Sequence, residues 1–184
     1  MSTYKIAVVV GSLRKESMNR QVAVALTKLL PKEFQAEFVE IGNLPLYNQD
    51  FDSATPEPVL KFKQAIAASQ GVIFVTPEYN RSIPGVLKNA LDQGSRPYGQ
   101  SAWQGKPAGV LGTSPGAIGS ALAQQHLRNV LTFLAMPTLT QPEVFLQFRE
   151  EMIDAQGNII NEGTKKFLQS WVDAYVAWVK KINA

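Results

Sequence analysis

A chain of 184 residues with 45% apolar and 18% charged side chains carries enough apolar material for a sizeable core and too much of it for disorder. Its 18 Lys and Arg against 15 Asp and Glu leave a net charge of only +3. The lysine pairs at 165–166 and 180–181 read as solvated helix surface, which excludes the footprint of a nucleic-acid binder. The lack of cysteine excludes disulfides, thiolate nucleophiles and cysteine metal sites, so any redox chemistry has to come from a cofactor.

No linker or shift in composition divides residues 1–184, and one domain is expected. The apolar run 6–10 is too short for a signal-peptide core, and no run approaches the roughly 20 residues of a membrane span. A cytoplasmic protein without membrane partners is the expectation.

In chain order, residues 4–10 form a near-continuous β-branched run, read as an interior strand and followed by a helix over 19–30. Residues 36–41 alternate, with Phe38 on one face and Glu37 and Val39 on the other, as expected nearer a sheet edge. A helix over 57–69 leads to a second interior strand at 71–76, and a helix over 84–93 to a third at 107–113. A helix over 118–135 precedes a fifth strand expected around 137–140. The last helix, 164–182, carries Phe167, Leu168, Trp171, Val172, Tyr175, Trp178, Val179 and Ile182 at steps of three and four, the stripe of a core-facing amphipathic helix.

Strands alternating with helices predict an α/β fold: a doubly wound, five-stranded parallel sheet of order 2-1-3-4-5 with helices on both faces. In that topology a ligand lies beyond the carboxyl ends of strands one, three and four. Three loops therefore carry the chemistry.

The first loop runs from Gly11 to Arg20 and joins a buried strand to a helix, a junction whose free N–H groups and positive dipole end attract anions. Ser12, Ser17 and the Asn19 amide add neutral donors and Arg14 adds charge, a set suited to a phosphate monoester such as that of FMN. Gly11 is the loop's only glycine, so it matches neither the dinucleotide fingerprint nor a Walker loop. Ser17 reads equally well as a helix N-cap, and Ser12 as a turn residue.

The second loop, 76–85, presents Pro77, Glu78, Tyr79, Asn80, Arg81 and Ser82 between two stiffening prolines, and could seat a flat heteroaromatic ring with polar edges. A plain polar surface loop is the competing reading. The third, 112–119, contains Gly112, Ser114 and Gly116 in a G-x-S-x-G pattern. A hydrolase elbow is excluded by Pro115, which has no N–H to give an oxyanion, and by His126, which sits in the next helix out of triad order. His126 reads as a helix-packing residue, and no metal-ligand spacing occurs.

Gly11-Ser12-Leu13-Arg14 with Ser17 and Asn19, Pro77-Glu78-Tyr79-Asn80 leading to Pro84-Gly85 and Lys88-Asn89-Ala90-Leu91-Asp92, and Gly112-Thr113-Ser114-Pro115-Gly116 stand in that order over nearly the whole chain. On these motifs the sequence resembles the flavodoxin-like NADPH-dependent FMN reductases, a group that includes quinone and chromate reductases. The resemblance implies an FMN phosphate held by Ser12, Arg14, Ser17 and Asn19. It places Pro77, Glu78, Tyr79, Asn80 and Ser82 along the isoalloxazine and ribityl chain, with Ser114 and Gly116 on the other side.

It also implies hydride delivery from NADPH or NADH through FMN to quinones and to other small acceptors such as chromate, azo compounds or free flavin, with no catalytic side chain. Arg81 would stand at the mouth, near the nucleotide phosphates or an anionic acceptor. Homodimers or homotetramers are common in the family, and the apolar helix 118–135 agrees, although burial within one subunit would also explain it. The chain departs from some relatives at Arg81, Leu122 and Gln125. The alternatives are a flavodoxin-type electron carrier, usually strongly acidic where this chain is slightly basic, or a non-enzymatic nucleotide-sensing module on the same fold.

Overall fold

The computed structural model describes residues 3–184. Five strands, β1 (Tyr4–Val10), β2 (Phe34–Phe38), β3 (Gly71–Val75), β4 (Ala108–Ser114) and β5 (Phe145–Gln147), pair in parallel in the order β2-β1-β3-β4-β5. The helices are α1 (Met18–Thr27), α2 (Glu57–Ala67), α3 (Gly85–Ser95), α4 (Ala121–Phe133) and α5 (Glu162–Ile182). The order and the alternation are those expected from the sequence, and no helix is long and apolar enough to cross a membrane among the described residues.

Alternation along the interior strands sends side chains to two separate cores. Ile6, Val8, Val10, Ile73, Val75 and Leu111 pack with α1 and α5 on one face. Ala7, Val9, Val72, Phe74 and Val110 pack with α2, α3 and α4 on the other. A strand buried on both faces cannot alternate in polarity, which is why β1 and β3 read as continuous apolar runs.

Two strand glycines make room for the aromatic stripe of α5. A Cβ on Gly109 would lie 2.7 Å from the Trp171 ring, and one on Gly71 2.7 Å from the Tyr175 hydroxyl. Trp171 and Tyr175 stack in the space so left, 5.3 Å between centroids and 7° between planes. The Tyr175 hydroxyl is buried without a hydrogen-bond partner, and burial pushes its ionisation well above the ordinary tyrosine range. Removing an unpartnered buried hydroxyl removes a desolvation penalty, so Tyr175→Phe is expected to stabilise the fold by about 1 kcal/mol. A thermal melt should show a rise of roughly 2–4 °C; a fall would mean that the hydroxyl has a partner after all.

Two strands differ from the sequence expectation. β2 spans Phe34–Phe38 rather than 36–41, because it begins directly after the turn in which Phe34 N–H donates to Pro31 C=O, and Phe34 stacks on Tyr4 at 4.8 Å. The expected fifth strand at 137–140 is not β5. That segment only brushes the start of β4, with Ala108 N–H donating to Pro137 C=O and Leu139 N–H to Ala108 C=O, and Arg128 of α4 holds it through Leu139 C=O at 2.7 Å. The chain then leaves the sheet over 141–144, where Pro142 cannot supply a ladder N–H, and rejoins it at Phe145.

Candidate active site

The carboxyl ends of β1, β3 and β4 bring the three loops together, and Gly112 sets how closely the last two approach. A Cβ there would fall on the Thr76 carbonyl oxygen and the Ser120 hydroxyl, well inside van der Waals contact. Gly11 N–H donates to Val75 C=O and Thr76 N–H to Leu111 C=O, so the sheet ladder continues to the base of each loop.

The first loop enters α1 through Ser17, a buried N-cap whose Oγ accepts from Arg20 N–H at 3.2 Å. From residue 12 to 17 only the Arg14 N–H has an intramolecular partner among the described residues, Ser12 Oγ at a long 3.5 Å. The loop thus offers a run of N–H donors at a helix N-terminus, with the Ser12 and Ser17 hydroxyls free to donate their protons. Arg14 is exposed and unpaired among the described residues. That donor chemistry fits a phosphate monoester.

Asn19 is where the expectation changes. Its Nδ2 donates to Thr113 C=O at 3.0 Å and its Oδ1 accepts from Thr113 N–H at 3.0 Å, in a buried setting. The amide therefore ties the first turn of α1 to the end of β4, a structural role beyond the one expected of it, and uses one of its two Nδ2 hydrogens to do so. Asn19→Ala leaves both backbone polar groups of buried Thr113 unpaired, and is expected to lower stability by about 2–4 kcal/mol in urea unfolding. A loss below about 0.5 kcal/mol would remove the clamp from this account.

In the second loop, Tyr79 and Ser82 exchange backbone hydrogen bonds of 2.9 and 3.0 Å around Asn80 and Arg81, whose φ angles of 50° and 65° are both left-handed. This is a two-residue hairpin of the kind that favours Asn. Pro77 and Glu78 are half-buried, and Tyr79 and Asn80 are exposed at the tip.

Glu78 has a part that sequence reasoning missed. Its Oε2 accepts from Leu122 N–H at 3.0 Å and Ala123 N–H at 3.2 Å, capping α4 from another loop, while Oε1 pairs with Arg81 at 3.1 Å. The carboxylate is thus committed to holding the hairpin on α4 and aiming Arg81. His126 adds a second tether, its Nδ1 lying 3.0 Å from Ser82 Oγ. It lies exposed on the helix and meets the loop, where a helix-packing residue was expected. A negative side chain three residues before a cation in a turn gave only a weak hint of this.

The third loop exposes Gly116, Ala117 and Ile118, and Ser114 Oγ donates to Gly116 C=O at 3.0 Å. Gly119, at φ +58°, packs against the backbone of Phe145 and Leu146 and anchors the loop's far end to β5. Asn89 also acquires a role. Its Nδ2 donates to Pro45 C=O and its Oδ1 accepts from Tyr47 N–H, and Gln93, one helical turn on, donates to Pro45 as well. The i, i+4 spacing of two amides on α3 was the available signal.

The sequence model of the NADPH-dependent FMN reductase family matches residues 4–151. The chain belongs to this family. A 2-hydroxy-1,4-benzoquinone reductase of a Burkholderia species is 57% identical over 176 residues, covering 96% of each chain. A quinone reductase of Pseudomonas putida is 53% identical over 178 residues, covering 96% of this chain and 95% of its own. Among solved structures, the flavoenzyme FerB of Paracoccus denitrificans, an NAD(P)H:acceptor oxidoreductase, superposes with a TM-score of 0.94 at 47% identity, over 97% of this chain and 98% of that one.

For an FMN reductase the three loops divide the labour by chemistry. The first offers N–H and hydroxyl donors at a helix N-terminus, and the second and third offer backbone edges and small residues. Asn19 and Glu78 fix the distances between loops.

Proposed function

We propose that this chain is an FMN-dependent NAD(P)H oxidoreductase that reduces quinones. The observation that carries the reading is the first loop's run of unpartnered N–H groups beside Ser12, Ser17 and Arg14, at the switch point of a sheet shared with flavoenzymes. In this reading Ser12, Arg14 and Ser17 bind the FMN phosphate, and Asn19 positions the loop through Thr113. Pro77, Tyr79 and Asn80, with backbone groups of Glu78 and Ser82, lie along the ring and ribityl chain, and Ser114 and Gly116 border the opposite side.

Bound FMN supplies the hydride-accepting and hydride-donating atoms, which side chains here lack. The protein binds and orients, and leaves one ring face open so that donor and acceptor come in turn to within about 3–3.5 Å. Arg81, held by Glu78, offers a fixed cation to nucleotide phosphates or an anionic acceptor. Chromate, azo compounds and free flavin are further acceptors of this reading, and the cytoplasm its location. Tyr98 and Phe133, 91% and 88% exposed, support assembly into a homodimer or homotetramer.

Purified protein is expected to be yellow, to bleach with NADPH or NADH under anaerobic conditions, and to regain colour on adding benzoquinone. Protein that stays colourless with added FMN would sink the reading. Bleaching without sustained nucleotide consumption in the presence of quinone would reduce it to an electron carrier.

A further inference from the structure

The hairpin of the second loop carries a residue that its turn disfavours. A two-residue hairpin with both central φ angles positive takes Asn readily at the first position and glycine at the second. Asn80 stands at the first, but the second is Arg81, at φ 65°. A long side chain in the left-handed region costs stability that glycine would spare, and an outlier of this kind points to a use for the side chain.

Contacts on either side fix where that side chain stands. Arg81 Nη1 donates to Glu78 Oε1 at 3.1 Å, and the Glu78 side chain is only 10% exposed and caps α4 through Leu122 and Ala123 N–H. Ser82, the next residue, meets His126 Nδ1 at 3.0 Å. The Arg81 side chain is nevertheless 64% exposed, and its Nε and Nη2 groups have no intramolecular partner among the described residues. Glu78 does not cancel its charge in full, because the carboxylate also faces the positive end of α4, worth about half a unit charge. Tyr79, exposed on the same hairpin, adds an aromatic face.

An immobilised guanidinium edge with N–H groups to give, next to an exposed aromatic ring, suits a flat ring that bears one oxyanion. A hydroxyl attached directly to a quinone ring is such a group, since conjugation with the carbonyl makes it a vinylogous acid that is ionised at neutral pH. The two charges of a nucleotide pyrophosphate call for more than one cation, and loop 76–85 holds no other. On the helix that follows, Lys88 is already paired with Asp92 at 2.9 Å.

We infer that Arg81 is a specificity residue for the acceptor: the hairpin selects quinones that carry an ionised substituent over neutral ones of similar size. The inference rests on reading the chain as a quinone-reducing flavoenzyme. It leaves the reaction as it is, with quinone, NAD(P)H and a proton giving hydroquinone and NAD(P)+.

Steady-state kcat/KM for 1,4-naphthoquinone-2-sulfonate and for 1,4-naphthoquinone, compared between wild type and Arg81→Gly, tests it, each quinone serving as its own reference for reduction potential. The preference for the sulfonate should fall about tenfold in the variant, the worth of one charge-assisted hydrogen bond. Tm should hold or rise, since glycine relieves the turn. An unchanged preference would overturn the proposal. So would a rise in KM for NADPH as large as that for the sulfonate, which would assign Arg81 to the nucleotide, or a fall in Tm of more than about 4 °C, which would make it a structural member of the hairpin. Calorimetric titration of the FMN-loaded protein with 2-naphthalenesulfonate, which cannot be reduced, reads the same cation without turnover. Equal binding by wild type and Arg81→Gly would likewise overturn the proposal. Failure of the flavoenzyme reading shows separately, as protein that consumes no nucleotide with either quinone, and the sulfonate titration then still decides what Arg81 binds.

Discussion

Ser17→Asp is expected to fold normally and to lose FMN. Ser17 caps α1 through a hydrogen bond from Arg20 N–H, and aspartate is as good an N-cap as serine, so stability should change by less than about 0.5 kcal/mol. The same exchange sets a carboxylate beside the dianionic phosphate proposed for this loop. Two like charges about 4 Å apart repel by about 4 kcal/mol near a protein surface, so even with heavy screening an FMN affinity loss of at least about 100-fold should follow. Ser17→Ala does the reverse, costing about 1 kcal/mol of cap with a milder loss of FMN. Fluorescence titration of FMN together with a thermal melt reads both quantities. Equal FMN affinity in wild type and Ser17→Asp would remove the phosphate from this loop.

Gly112→Ala is expected to be among the most damaging glycine-to-alanine changes in the chain. Its Cβ would fall on the Thr76 backbone carbonyl and the Ser120 hydroxyl. A backbone carbonyl cannot rotate away as a side chain can, so β3 and β4 must separate at the end that carries the second and third loops. Overpacking of this kind costs about 3 kcal/mol, which for a chain of this size is a fall of roughly 6–12 °C in Tm. FMN retention should fall with it. Gly116→Ala is the control, since its nearest neighbour would be Ser114 Oγ at 3.7 Å and stability should not change. Similar melting of Gly112→Ala and wild type would show that the loops are not set by this contact.

These two positions also mark how far the sequence could be read. Gly112, Ser17 and the loops were legible because strand ends and helix caps are local signals: a β-branched run, a small-residue turn, a serine before an apolar period. The order of the sheet followed from alternation alone. What the sequence did not disclose was the use of side chains by distant partners. Asn19 looked like a phosphate donor because its amide suits one, and nothing local points to Thr113 across the sheet. Glu78 looked like a ring contact, while its Oε2 also caps amides more than 40 residues further on.

Strand ends failed for a related reason. Residues 137–140 have the right composition for a strand and do pair briefly, but the ladder is completed by Phe145–Gln147, beyond the proline. Helix α1 ended at Thr27 rather than at residue 30, with Lys28, Leu29 and Leu30 closing it by turns to Leu26 and Thr27. Such limits depend on which hydrogen bonds close the last turn, and composition does not encode them.

The interrupted fifth strand has a bearing on how the protein behaves at high concentration. A parallel sheet exposes unpaired amides along its two outermost strands, and a long flat margin there invites another molecule to add itself. On one side the margin is broken by residues 141–144, where Pro142 and Glu143 stand away from the ladder and only Phe145–Gln147 resume it. On the other, β2 is five residues long and presents exposed Gln35 and Glu37. Neither margin offers a template long enough for runaway stacking. Straightening the break, by replacing Pro142 and Glu143 with β-branched residues, would trade solubility for a tidier sheet.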